Sequence, residues 1–142
     1  RKMKKAILTI EGCDAMSYVI SSVLSKEYAV TNAENCTEAF EHLQKENEKD
    51  LIILDIPNSS SDNLALLEHM HTSAVLNGIP TVVISNSDDP TLKDKAVELG
   101  ASLFLTKPFD PVYLSDKVKD LIYENGEKPA GKRKLRFNLN IF

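Results

Sequence analysis

Five short apolar runs, each followed by a stretch with helical spacing, restrict most strongly how this chain can fold. The runs are predicted strands at Ala6 to Ile10, Tyr28 to Ala33, Leu51 to Leu54, Thr81 to Ile84 and Leu103 to Thr106. After each of them, apolar residues recur at three- and four-residue intervals, as they do on one face of a helix. Strands that alternate with helices form βαβ units, whose strands are parallel. We therefore predict an α/β fold, a doubly wound five-stranded parallel sheet with helices on both faces.

Composition narrows the class of protein. The 142 residues are enough for one domain with a full core, and the net charge of -4 argues against direct binding of nucleic acid by a broad basic face. No apolar run approaches the roughly 18 residues of a membrane span, and the basic start lacks the features of a signal peptide. Cys13 and Cys36 are too isolated for a disulfide scaffold or a zinc site, so we expect a cytoplasmic protein.

Polar residues follow four of the predicted strands. Glu11 follows the first strand, Asp55 the third, Ser85 the fourth and Lys107 the fifth. In doubly wound sheets, function gathers at the carboxyl ends of the strands, which lie only about 4.8 Å apart. The four side chains together suit phosphoryl chemistry. Asp55 would attack as a nucleophile, Ser85 would bind the phosphoryl group, Lys107 would neutralise its charge, and Glu11 would help to hold Mg²⁺.

The order LIILD, VVIS and FLTKPF resembles the receiver domains of two-component response regulators. Ser85 lies 30 residues after Asp55, and Lys107 lies 22 residues after Ser85, close to the spacing in that family. The resemblance covers residues 4–124, which we predict to be the receiver domain. Residues 125–142 are predicted to be a linker or a C-terminal extension.

The resemblance implies a role for each matching residue. Asp55 would be the phosphoacceptor, Ser85 the switch hydroxyl, Lys107 the phosphate-binding lysine and Phe104 the switch aromatic. The Lys107-Pro108 peptide would be one that is often cis. The family also implies a flavodoxin-like strand order, 2-1-3-4-5. Its implied partners are a sensor histidine kinase or phosphotransfer protein and a downstream effector, with a possible homodimer through the fifth helix. The chain would perform self-catalysed phosphotransfer and dephosphorylation at most, not enzymatic turnover.

The sequence departs from the family at the proposed site. Gly12 replaces the second of two adjacent acids, which should weaken Mg²⁺ binding by removing a negative ligand. Pro57 keeps the backbone carbonyl that would coordinate the metal but brings no side chain to tune the site. The loop proline and glycine of the family are replaced by Ser59 and Asn63, and Asn86, rather than a small residue, follows Ser85.

Each assignment has a structural alternative. Asp55 could end a strand and begin a turn, Ser85 could bond to its own backbone, and Lys107 could be a solvated loop lysine. For Phe104 a place in the core is at least as well supported as a switch. At the level of function, the alternatives are a receiver that binds partners without phosphorylation, as Gly12 favours, and an enzyme on a similar sheet. The enzyme is the weakest, since Pro57 stands where a phosphatase would need a second acid and EGCDAM lacks the residues of a flavin phosphate loop.

Overall fold

The computed structural model describes residues 4–11, 15–45, 49–58, 61–74 and 76–126. These residues form five strands, β1 Ala6–Ile10, β2 Ala29–Ala33, β3 Leu51–Asp55, β4 Thr81–Ser85 and β5 Leu103–Thr106. They also form five helices, α1 Ala15–Leu24, α2 Cys36–Lys45, α3 Asp62–Thr72, α4 Pro90–Glu98 and α5 Pro111–Gly126. Every predicted strand is present to within one residue. The structure extends β3 and β4 to include Asp55 and Ser85, which the sequence placed just after those strands.

The strands form one parallel sheet in the order β2-β1-β3-β4-β5, which confirms the predicted fold. Side chains alternate between its two faces. In β3, Ile52 and Leu54 enter the apolar cluster packed with α2, α3 and α4, whereas Leu51 and Ile53 enter the one packed with α1 and α5. All four side chains are fully buried. The uninterrupted apolar run is thus explained by a central strand that is covered on both sides.

Local signals explain where two of the helices begin. The Ser61 hydroxyl accepts a hydrogen bond from the Asn63 amide at the start of α3, and the Asp89 carboxylate accepts one from the Thr91 amide at the start of α4. Both side chains satisfy N–H groups that the first turn of a helix leaves without partners.

Gly100 follows the end of α4 with a φ of +108°, a positive value that is common for the residue after a helix. Side chains other than glycine rarely adopt this conformation. A Cβ atom at this position would also approach His71 Nδ1 to 2.6 Å. The backbone conformation therefore favours glycine here, and any other residue would also displace the exposed His71 ring.

The described part of α5 continues to Gly126, two residues past the predicted end of the domain. Residues 127–142, which include most of the predicted extension, lie outside the described residues, and the domain boundary stays a prediction. Among the helices that are described, none combines the length and hydropathy needed to cross a membrane.

Candidate phosphoryl site at the carboxyl ends of the strands

An ion pair joins the ends of β3 and β5. Lys107 Nζ lies 3.1 Å from Asp55 Oδ2, and the two side chains are only 9% and 15% exposed. These residues are 52 positions apart in the chain. The strand-end rule thus placed them correctly at one edge of the sheet. Lys107 is not the solvated lysine that a single loop lysine would ordinarily be.

The backbone on both sides of this ion pair is held by β4. Asp55 lies beside Ile84 in the sheet, and the Ile56 amide donates to the Ile84 carbonyl at 2.9 Å. The Lys107 amide donates to the Ser85 carbonyl at 2.7 Å, and the peptide bond between Lys107 and Pro108 is cis, as the resemblance implied. The strand between them therefore sets the separation of the two charged side chains.

The second carboxylate oxygen of Asp55 has a different environment. Oδ1 is buried and has no hydrogen-bond partner within the described part of the chain. A buried carboxylate oxygen usually accepts hydrogen bonds or binds a cation, because its removal from water is costly. Asp55 therefore has one oxygen that is held by Lys107 and a second that is suited to a cation or a reacting group.

Glu11 follows the strand that neighbours β3. The last pair between β1 and β3 is Ile10 with Leu54, so the following residues, Glu11 and Asp55, end neighbouring strands side by side. Glu11 is 2% exposed, and its amide donates to the Ala33 carbonyl. Gly12, the main departure from the family, lies outside the described residues.

The oxygen donors near this edge fit Mg²⁺. Glu11 and Asp55 supply carboxylates, and exposed Pro57 retains a backbone carbonyl two residues after Asp55. Within the described ranges, no group of three His, Cys, Asp or Glu residues could hold a metal. Mg²⁺ is commonly bound by one or two carboxylates, with water and phosphate oxygens completing its shell. The buried oxygen of Asp55 is the observation that makes the donor set suitable.

Ser85 is fully buried, and its hydroxyl already has a backbone partner. Its Oγ accepts from the Ser87 amide at 3.0 Å, Ser87 Oγ accepts from the Asp89 amide at 3.1 Å, and Asp89 caps α4. The bond to backbone that sequence reasoning gave as an alternative role is therefore present. Since Ser85 Oγ is the acceptor in this bond, the hydroxyl keeps its own hydrogen for a second partner.

Phe104 is half-buried and packs against the apolar cluster on the α2, α3 and α4 side of the sheet. It pairs with Val83, which lies on the same face of β4 as Ser85. Packing in the core and service as a switch are both compatible with this position. The role of Phe104 stays a prediction.

Asn63 is a site residue that sequence reasoning noted only as a departure from the family. Its side-chain Nδ2 donates to the backbone carbonyl of Asp55 at 2.6 Å, and its Oδ1 accepts from the Cys36 thiol at 2.9 Å. Burial, and secondarily the negative charge of Asp62, raise the pKa of that thiol, so it remains a protonated donor at neutral pH. The sequence signal for this residue is an amide side chain in the first turn of the helix after Asp55, which does not by itself identify its partners.

A family model for the response regulator receiver domain matches residues 7–119. The chain belongs to this family. Receiver domains are signalling modules of two-component systems rather than enzymes in the usual sense, they typically bind Mg²⁺, and they interact with histidine kinases and effector domains.

Individual relatives agree with this assignment. The receiver is 31% identical over 120 residues to the transcriptional regulatory protein KdpE of Staphylococcus aureus, with 82% of this chain and 49% of KdpE covered. It thus spans about half the length of that relative. The signal receiver domain of a histidine kinase from Syntrophus aciditrophicus matches with a TM-score of 0.76 and 27% identity, covering 88% of this chain and 95% of the other. The Mn²⁺-bound form of response regulator Rcp1 matches with a TM-score of 0.66 and 25% identity, covering 85% and 88%.

Proposed function

We propose that this receiver accepts a phosphoryl group on Asp55 from a histidine kinase or phosphotransfer protein. The observation that carries the proposal is the Asp55 carboxylate, which is paired through Oδ2 with Lys107 and has no hydrogen-bond partner on Oδ1 among the described residues. A carboxylate that served only to end a strand would not require an ion pair with a largely buried lysine from a strand two places away.

The reaction follows from these two side chains. A carboxylate oxygen of Asp55 forms a bond to phosphorus as the bond between phosphorus and the donor's imidazole nitrogen breaks. The imidazole nitrogen keeps that electron pair, and because the other ring nitrogen of the donor carries a proton, the leaving group is neutral imidazole. The Lys107 ammonium stabilises the negative charge on the transferring oxygens, which is the main way in which proteins assist phosphoryl transfer.

Glu11, Asp55 and the Pro57 carbonyl are the groups that would hold Mg²⁺. When bound, the ion supplies positive charge that complements the phosphoryl oxygens. The loss of a second acid at Gly12 predicts weaker Mg²⁺ binding than two adjacent carboxylates would give.

The proposed signal starts at Ser85. The Ser85 hydroxyl would donate its hydrogen to the phosphoryl group. The resulting movement of Ser85 would displace Ser87 and the cap of α4, to which it is connected by hydrogen bonds. Phe104 would turn inward into the space released. The surface formed by α4, β5 and α5 would then change its affinity for an effector, because the equilibrium between two packings of these elements would shift.

Intact-mass measurement after incubation with a small-molecule phosphodonor and Mg²⁺ tests the proposal. The wild-type receiver should gain the mass of one phosphoryl group, and Asp55→Asn should gain none. Asp50→Asn, the same substitution at the other end of β3, is the matched control and should be phosphorylated normally. An unmodified wild-type chain would contradict the proposal.

The second candidate is a receiver that binds its partners without phosphorylation. Gly12 favours it, because one ligand fewer for Mg²⁺ weakens the charge balance on which phosphoryl transfer depends. In that case Asp55→Asn would bind the effector as wild type does, and no phosphoryl mass would appear. A cytoplasmic location and dimerisation through α5 remain predictions under either candidate.

A further inference from the structure

Among the described residues, the pairing of β1 with β3 ends before the Asp55 carbonyl. A trans peptide group directs its N–H and C=O in opposite directions. Because the Ile56 amide donates to β4, the Asp55 carbonyl is directed toward the β1 side. The last β1–β3 pair, however, is Ile10 with Leu54. Asp55 is partly buried, and backbone groups removed from water are almost always paired, so a side-chain donor is well suited to this carbonyl.

Asn63 supplies that donor, with Nδ2 at 2.6 Å from the carbonyl oxygen. Its own position is set by two more contacts. The Asn63 amide donates to the Ser61 hydroxyl at 3.1 Å, and the Cys36 thiol donates to Asn63 Oδ1 at 2.9 Å. Because the thiol is a donor, the oxygen of the side-chain amide must face Cys36, and the NH₂ group must face Asp55. The starts of α2 and α3 therefore jointly orient this side chain.

We propose that Asn63 is a positioning residue for phosphoryl transfer, which holds the peptide group after Asp55 and so aims the carboxylate. The inference rests on the proposed function. The Asp55–Ile56 peptide is bonded on one side to Asn63 and on the other to Ile84, which fixes the backbone from which the carboxylate extends. Lys107 then holds Oδ2. Asn63 contacts no reacting atom and acts only through the backbone of Asp55.

Such a role affects the transfer step more than the binding of the donor. Small misplacements of a reacting group are costly, and a shift of about 1 Å can reduce a rate on the order of 100-fold. With Asn63→Ala, we expect the maximal rate of phosphoryl uptake at saturating phosphodonor to fall about tenfold or more. The donor concentration that gives half of the maximal rate should change little.

The experiment compares five chains: wild type, Asn63→Ala, Cys36→Ala, Cys36→Ser and the control Asn32→Ala. Asn32 also lies near the carboxyl end of a strand and accepts from the Thr9 hydroxyl, but it is remote in the sheet from the Asp55 carbonyl. Cys36→Ser keeps a donor to Asn63 Oδ1, and Cys36→Ala removes it. Each chain is measured for uptake rate against donor concentration, for melting temperature and for the ¹³C chemical shift of the Asp55 carbonyl.

The positioning role predicts that Asn63→Ala lowers the maximal rate and moves the Asp55 carbonyl shift, whereas Asn32→Ala changes neither. Cys36→Ala should lower the rate by a smaller factor, and Cys36→Ser should restore it. If Asn63→Ala does not fold, the two Cys36 variants decide, because they leave Asn63 in place. Equal rates for Cys36→Ala and Cys36→Ser would then overturn the inference.

Failure of this inference is distinguishable from failure of the proposed function. If wild type is phosphorylated but folded Asn63→Ala is phosphorylated just as fast, only the positioning role is overturned. A fall in melting temperature with an unchanged maximal rate does the same, since it would show a purely structural role. A wild-type chain that takes up no phosphoryl group overturns both.

Discussion

Two aspartates bound the central strand β3, and they serve different purposes. Asp50 lies just before the strand, where its Oδ2 accepts from the Ala6 amide and its own amide donates to the Ala6 carbonyl, both at 2.8 Å. Asp55 ends the strand, where its Oδ2 contacts Lys107 and its Oδ1 has no hydrogen-bond partner in the described ranges. The first carboxylate completes the backbone bonding between β1 and β3. The second is held in place by a side chain and retains an oxygen for chemistry.

The difference shows that the same residue type serves stability at one position and function at another. A carboxylate that bonds to backbone contributes to the fold, and its removal leaves an amide without a partner. A carboxylate that is paired with a lysine and partly buried contributes less to the fold, because desolvation offsets much of the attraction. A buried charged pair that adds little stability is retained where its chemistry is needed, as is common at functional sites.

The largest effect is expected at Lys107. Lys107→Ala should reduce phosphoryl uptake on the order of 100-fold, because it removes the cation that stabilises the transferring oxygens. The rate is followed by intact-mass measurement with a small-molecule phosphodonor and Mg²⁺. Lys93→Ala, on the exposed surface of α4, is the control and should leave the rate unchanged. A Lys107→Ala chain that is phosphorylated at the wild-type rate would show that the two aspartates do not differ in the way proposed.

An intermediate effect is expected on stability at the other end of β3. Asp50→Ala should lower the free energy of unfolding by about 2 kcal/mol, since the Ala6 amide loses a charged acceptor. Asp55→Asn should change it by less than about 1 kcal/mol, because the amide oxygen can still accept from Lys107. Urea denaturation of the two variants measures the contrast. Larger destabilisation by Asp55→Asn than by Asp50→Ala would reverse the assignment of the two carboxylates.

The smallest effect is expected at Tyr28, whose buried hydroxyl also has no hydrogen-bond partner among the described residues. Tyr28 precedes β2 at the amino ends of the parallel strands, whereas the ion pair lies at their carboxyl ends. Burial, and then the charges of Glu27 and Tyr123, raise its pKa from 10.0 to about 12. The phenol therefore ionises more readily in the unfolded chain, and wild type should lose stability as the pH rises from about 10 toward 12. Tyr28→Phe should lack that contribution, with little change at pH 7.

Urea denaturation of both chains at pH 7 and at pH 11 measures this difference. Phosphoryl uptake by Tyr28→Phe at neutral pH should equal that of wild type. Slower uptake by Tyr28→Phe would contradict this expectation, because it would show that the Tyr28 hydroxyl also contributes to phosphoryl transfer.

The strands and the fold could be predicted because their signals are local. The run from Leu51 to Leu54 indicates a strand covered on both faces, and the following Asp55 lies at its end whatever the rest of the chain does. The approach of Lys107 to Asp55 was also predictable, since parallel strands bring their carboxyl ends to one edge of the sheet. The roles of Ser85 and Phe104 remain predictions, because the structure is compatible with both of the readings that the sequence left open.

The contacts of Asn63 could not be predicted in the same way. They join α3 to Asp55 and to Cys36, and they depend on how the loop after β3 turns. The chain of hydrogen bonds from Ser85 through Ser87 to Asp89 likewise depends on the path of a loop. A polar residue in a loop has several partners within reach, and the sequence does not rank them.

By itself, the sequence determined the alternation of strands and helices and the residues that end each strand, because apolar burial leaves a periodic pattern in the chain. The order and spacing of LIILD, VVIS and FLTKPF indicated the family by resemblance. Only the tertiary structure decided which oxygen of Asp55 Lys107 holds, and which group bonds the Asp55 carbonyl. The first outcome depends on the register between strands, since a shift of one residue would direct each side chain to the opposite face of the sheet. The second depends on the path of the loop between β3 and α3.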